Sequence, residues 1–217
     1  GSSLLPGGRS SNSRGGAISP SAGGSPERPP VARRPCCPRG CESGPAAGIL
    51  PRMPLPELVD THCHLLFGDL GKDPDGVWER ALAAGVAQAL LVGIDAVTSR
   101  EAVDFVSGRD GLFCTVGVHP NDTAKATAGD WDAIRELAGA PKVVALGETG
   151  IDLYRDTAPL PLQQESLARH VELALERDLP LVLHIRQAFA EIREALAPHV
   201  PRGLRAVLHC FGGGPED

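Results

Sequence analysis

Residues 143–186 read VVALGETGIDLYRDTAPLPLQQESLARHVELALERDLPLVLHIR. A short apolar run, Val143–Gly147, precedes a long amphipathic segment, Gln163–Arg177, and a second apolar run, Leu179–Ile185. The short runs are rich in Val, Leu and Ile and too brief for helices, so they read as strands. Gln163–Arg177 carries the 3.6-residue spacing of a helix. Strand, helix, strand is a βαβ unit, and its two strands are parallel. Apolar runs at Leu58–Leu65, Val86–Ile94, Leu112–Val118 and Arg205–Cys210 repeat the pattern outward. Helical patterns at Asp75–Ala84, Thr98–Ser107, Asp130–Ala138 and Ala188–Ala197 lie between them. Thr98, with Glu101 three residues on, predicts a capping box at the start of its helix. The strands are near-continuous in apolar residues, as expected when both faces are covered. Right-handed crossovers leave two architectures, an open doubly wound sheet or a closed barrel. No Gly-rich phosphate loop follows the first strand, which favours the barrel. The expected fold class is therefore α/β, a TIM-type (β/α) barrel, with about six of its eight βα units in this chain.

The 217 residues divide by composition. Residues 1–52 hold ten Gly, nine Pro and nine Ser, with seven Arg against two Glu. They show no apolar periodicity and cannot offset their ordering entropy, so a disordered tail is expected there. Residues 53–217 carry 14 basic residues against 25 acidic ones. The chain's only methionine, Met53, stands at the junction. The expectation is that Met53 is the biological start and that 1–52 is not native; a natural flexible extension is the alternative. The barrel then occupies 53–217 as its N-terminal three quarters. No run of 18 apolar residues and no secretory signal are present, so neither a membrane span nor export is expected. The net charge of −6 disfavours a protein that holds nucleic acid on a broad basic face. Cys36, Cys37 and Cys41 supply three clustered thiols, one short of a zinc site. Cys63, Cys114 and Cys210 fall in apolar runs and read as buried reduced thiols, which suits a cytoplasmic setting. Nothing points to an obligate protein partner.

Four of the six strands carry a histidine or a glutamate at or near the carboxyl end. His62 and His64 alternate in the first, on one face two residues apart. Glu148 ends the fourth, His184 the fifth and His209 the sixth. A lone histidine at a strand end is usually a satisfied polar residue, and a buried glutamate needs a partner or a metal. Five such residues at the active-site end of one barrel point to a metal centre. Imidazole plus carboxylate suits Zn, Mn or Fe, and a water shell admits Mg. Five side chains exceed the need of one tetrahedral ion, so two ions bridged by Glu148 are expected.

The motifs VDTHCHL at 59–65, VGVHP at 116–120, GETGID at 147–152, LHIR at 183–186 and LHCFG at 208–212 resemble the TatD family. These are metal-dependent hydrolases, TatD DNase-like, of the amidohydrolase superfamily. The resemblance implies a distorted TIM barrel, a binuclear site for two divalent metal ions (Mg, Mn or Zn) and phosphodiester hydrolysis of DNA. It implies that His62, His64, Glu148, His184 and His209 are metal ligands, and that Asp152, Tyr154 and Arg155 match the segment after the bridging glutamate. Two positions depart from the family, Gln187 for a common Asp and His170 for a common Gln. The family's catalytic Asp on the last strand has no match. Asp217 lies in the loop after Gly212–Gly214, so that Asp is expected beyond it, and the chain is expected to be an inactive or weakly active fragment whose gene continues.

A metal-activated water would attack a DNA strand or end. Arg186, on the face of His184, would pair with phosphate or form a salt bridge in the mouth. His119 would contact the scissile phosphate or cap the loop before Pro120. Asp60 would orient a ligand imidazole, or be a core carboxylate bonded to backbone. A hydrolase of a small ester, amide or phosphoester, and a non-catalytic metal-binding fragment, are the alternative functions.

Overall fold

The structure is a computed structural model that describes residues 57–216. The tail expected over 1–52, its three cysteines and Asp217 lie outside the described residues.

Among the described residues there are six strands: β1 (Leu58–Cys63), β2 (Val86–Val92), β3 (Leu112–Val116), β4 (Val143–Asp152), β5 (Leu181–Arg186) and β6 (Ala206–His209). All neighbours pair in parallel, in sequence order from β1 to β6. A doubly wound sheet reverses its strand order at a switch point, so this order excludes it. Five helices return the chain between strands: α1 (Pro74–Ala83), α2 (Ala96–Val106), α3 (Ala128–Leu137), α4 (Leu160–Arg177) and α5 (Phe189–Leu196). None of the described helices is long and apolar enough to cross a membrane.

The sheet is curled. Strands spaced about 4.8 Å apart would put β1 and β6 about 24 Å apart if the sheet were flat. Instead the rings of His62 on β1 and His209 on β6 stack with centroids 3.4 Å apart. The six strands form a partial TIM-type barrel. Its outer face buries Leu91, Cys114, Leu181 and Leu183 against Val106, Ile134, Leu167 and Val171 of the helices. Each such side chain contributes about 2 kcal/mol on burial. The inner face carries Val59, Leu90, Phe113 and Val144 around an open cavity. Val207 and Leu208 of β6 are exposed.

Four local readings are corrected. The capping box of α2 is built by Asp95 and Thr98, not by Thr98 and Glu101. Asp95 Oδ1 accepts from the Thr98 amide and hydroxyl, both at 2.7 Å, and so starts the helix earlier. β4 runs five residues past Gly147, because Gly150 takes φ +140° and lets the strand keep pairing with β5. A Cβ at Gly150 would strike the carbonyl oxygen of His184, so a side chain there would force the two strands apart. Cys210 is exposed and Cys63 only half-buried, because Cys210 lies one residue past β6 at the open edge. Of the three described cysteines only Cys114 is buried, and burial pushes its thiol up to about 12.

Asp60 is the fourth: of its two readings the bond to backbone forms, but the residue is exposed rather than in the core. Between Asp60 and Cys63, β1 spends three residues against two of β2 (Ala89 to Leu91), which is a bulge. The bulge puts Asp60 and His62 on opposite faces. Asp60 is exposed beside Cys63 and Trp78 on the helix side, and its Oδ1 accepts from the His62 amide at 3.1 Å. It therefore bonds backbone rather than a ligand ring.

Candidate metal centre

The bulge in β1 turns His62 and His64 toward the barrel interior. β4 has a matching irregularity: three residues from Leu146 to Thr149 face two of β5. Glu148 sits inside it, well before the strand's end. Bulges re-aim side chains near functional sites, and here both re-aimed groups meet. His184 arrives by regular pairing on β5, and His209 pairs beside it on β6.

Glu148 is buried, and its two oxygens face different histidine pairs. Oε2 lies 3.4 Å from His62 Nε2 and 4.0 Å from His64 Nε2. Oε1 lies 3.0 Å from His184 Nδ1 and 3.8 Å from His119 Nε2. Two three-residue groups result, His62–His64–Glu148 and His119–Glu148–His184, each with donor atoms within 4.8 Å of one another. His209 lies outside both groups, face to face with His62. His119, read from the sequence as a phosphate contact or a loop cap, is a cap in part: its Nδ1 accepts from the Asn121 amide at 3.1 Å. That bond leaves the proton of the neutral ring on Nε2, the atom aimed at Glu148 and His184.

The donor set suits a cation. Both ring nitrogens of His62 and Nδ1 of His64 are buried without a hydrogen-bond partner. Each unmet polar group costs about 1–3 kcal/mol, and a metal would remove that cost at one nitrogen of a ring, the one that holds the lone pair. Imidazole nitrogens with one shared carboxylate suit Zn, Mn or Fe.

Charge is arranged to match. Burial raises the Glu148 carboxyl, but His184, His62 and His119 outweigh it and hold the group well below the usual carboxylate range. Burial pushes His119 down to about 4, against the pull of Glu148. His64 and His209 are likewise lowered, by burial first and then by the neighbouring His62. His184 goes the other way: burial lowers it, but Glu148 and Asp152 raise it further.

Asp152 is a site residue to which the sequence reading gave no role. Its Oδ2 lies 3.0 Å from His184 Nε2, while its Oδ1 accepts from the amides of Tyr154 and Arg155, both at 2.9 Å. Gln163 of α4 clamps the same turn, accepting from the Asp152 amide at 2.8 Å. Asp152 is two alternations after Glu148, so the strand period carried the signal once β4 was known to continue. His170 of α4 is the other. Its Nε2 accepts from the Val118 amide at 3.1 Å, next to His119, and its Nδ1 lies 3.0 Å from Thr149 Oγ1, next to Glu148. No pattern in the sequence joins those three positions.

Arg186 stands at the mouth. Its guanidinium lies 3.8 Å above the Tyr154 ring, and the salt bridge weighed as its alternative does not form among the described residues.

Residues 59–217 match the family described as TatD related DNase. The chain belongs to that family. It is 34% identical to the uncharacterized metal-dependent hydrolase YabD of Bacillus subtilis over 159 residues, 73% of this chain and 62% of YabD. It is 35% identical to the 3′-5′ ssDNA/RNA exonuclease TatD of Enterobacter lignolyticus over 160 residues, 74% of this chain and 62% of that protein. The crystal structure of YJJV, a TatD homologue from Escherichia coli K12, superposes with a TM-score of 0.67 at 29% identity, covering 72% of this chain and 61% of that one. The chain thus spans about three fifths of the length of the relatives it matches. All five motifs quoted above fall in the stretch matched to the TatD family.

Proposed function

We propose that this chain carries the metal centre of a TatD-type hydrolase that cleaves phosphodiester bonds at single-stranded DNA ends. The relatives' names extend the substrate to RNA. The observation that carries the reading is Glu148, whose two oxygens each serve a separate histidine pair. His62 and His64 would hold one divalent cation and His184 the other, with Glu148 between them, while His119, whose Nε2 carries the ring proton, would donate to a phosphate oxygen. His209, stacked on His62, would complete the first. Such ions supply a hydroxide near neutral pH and neutralise phosphate oxygens. The protein's part is to fix the rings. Asp152 accepts from His184 Nε2 and so presents Nδ1 to the centre, and Asp60 pins the bulge that aims His62. Arg186 is placed to meet a phosphate oxygen. The domain limits belong to the same reading, with the hydrolase in 53–217 and a separate tail in 1–52.

One observation favours a small ester or phosphoester substrate instead. The acidic excess over 53–217 offers no cationic track for a long strand. A short end gripped by two cations needs less of one. Hydrolysis of a single-stranded oligonucleotide with Mg²⁺ or Mn²⁺, abolished by EDTA, is the expected result. Turnover of small phosphoesters alone would reject the nuclease reading.

A further inference from the structure

The chain has only eight aromatic residues other than histidine, five Phe, two Trp and one Tyr. Four of them stand around the metal centre. Phe67 packs edge-on to His64 with centroids 5.2 Å apart. Tyr154, more than half exposed, lies under the Arg186 guanidinium. Phe189 opens α5, and Phe211 follows β6; their rings meet edge to face at 5.2 Å, and Phe211 is exposed. Trp78, Trp131 and Phe105 pack in or against the core, whereas Tyr154 and Phe211 are exposed at this end of the barrel.

A cleft of about 490 Å³ opens beside these rings, lined by His184, Arg186, Phe189, His209 and Gly212. It shares His184 and His209 with the candidate metal centre, so a group bound there lies beside that centre. Its volume is within the range of small-ligand sites, about 300–1,000 Å³. Two backbone turns shape its rim. Gln187 after β5 and Cys210 after β6, both on the cleft wall, take left-handed φ, at 56° and 50°; Phe189 follows the first turn and lines the cleft, and Phe211 follows the second and packs edge-on to Phe189. Side chains rarely hold that conformation without a local reason.

We propose that this cleft is a nucleobase subsite: Phe189, backed edge-on by Phe211, stacks with the base next to the scissile phosphate, and Arg186, seated on the Tyr154 ring, flanks it. The inference rests on the nuclease reading above and adds to it where binding energy comes from. A body with 25 acidic against 14 basic residues cannot hold a strand by its phosphates alone. Stacking on rings supplies affinity without charge, and tolerates any base because every base has a π-face. The subsite therefore requires a base without choosing among the four.

The test uses two single-stranded oligonucleotides of equal length. One is oligo(dT); the other carries abasic tetrahydrofuran residues at its last three 3′ positions. Wild type should favour the base-bearing strand in kcat/KM by on the order of tenfold or more. Phe189→Leu/Phe211→Leu keeps apolar volume but removes both rings; it should bring the ratio near one while metal content by ICP stays unchanged. Binding of the same two strands, followed by fluorescence anisotropy in EDTA, reads the subsite without turnover. Hydrolysis absent with base-dependent binding intact would count against the nuclease reading and support the subsite. Equal binding of both strands by wild type, or an undiminished preference in the double variant, would overturn it.

Discussion

His170 is fully buried, and its neighbours Val118, Thr149, Ser166 and Trp131 are all uncharged. A backbone amide can only donate, so the bond from Val118 fixes Nε2 as acceptor and puts the ring's proton on Nδ1, 2.8 Å from the Ser166 carbonyl oxygen. Protonating Nε2 would set two donors against each other in a dry site. Burial accordingly holds His170 down to about 4, below the ordinary 6.5. The unfolded chain takes up a proton near 6.5, and the folded one does so only near 4. This contribution is complete above about pH 6.5 and is lost as pH falls toward 4, by about 3 kcal/mol in full. His170→Gln, which keeps an acceptor for Val118, should remove that loss. Urea unfolding at pH 7.5 and 4.5 should show the wild type losing about 2 kcal/mol more than the variant; parallel losses would mean that His170 is not the group concerned. Glu148 is a second residue-scale case. Replacing His62 and His64 together by Ala should remove one of two bound metal equivalents, whereas Glu148→Gln should remove most of both, because its charge faces both histidine pairs. Metal stoichiometry by ICP decides this, and wild-type content in Glu148→Gln would end the bridging assignment.

Among the elements, β4 departs furthest from its sequence. GETG looks like a strand end, since two glycines in four residues usually break pairing. The chain instead uses them to keep the strand going. Gly150 brings its backbone against the His184 carbonyl, and Thr149 to Asp152 then pair with Leu183 to Arg186. Glu148 and Asp152 thereby flank His184 on one surface. Gly150→Ala should cost about 2–3 kcal/mol from the positive φ alone, with further loss from the collision. Thermal unfolding should show the drop, and divalent-metal affinity should fall with it because the β4–β5 spacing sets the Glu148–His184 distance. An Ala variant as stable as the wild type would mean that the strands can part without strain. Helix starts erred for a related reason. Thr98 with Glu101 and Asp95 with Thr98 both carry cap chemistry, and only packing onto β2 and β3 selects the earlier one.

At the scale of the molecule, the candidate ligands come from β1, β4, β5 and β6, over a span from His62 to His209. An ion at this centre would join distant parts of the chain and bind the folded state alone. Its stabilisation should grow as RT ln(1 + [M]/Kd), about 2.7 kcal/mol at a hundredfold excess over Kd. Calorimetry should show a higher Tm with Mn²⁺ or Zn²⁺ than with EDTA, and almost no difference in Glu148→Gln; an equal gain in both would place the stabilising ion elsewhere. The sequence by itself determined the alternation of strands and helices, the parallel sheet, and the identity of His62, His64, Glu148 and His184 as the groups that meet. Those follow from apolar period and from residue chemistry, which are local. Tertiary structure alone decided that Asp60 faces away from His62, that His119 joins His184 at Glu148, that His209 stacks on His62, and that Asp152 and His170 support the rings. The physical reason is that bulges and the curl of the sheet are set by strand-to-strand packing: an extra residue in β1 reverses which side chains face inward, and six-strand curvature brings together edges that a flat sheet would hold far apart.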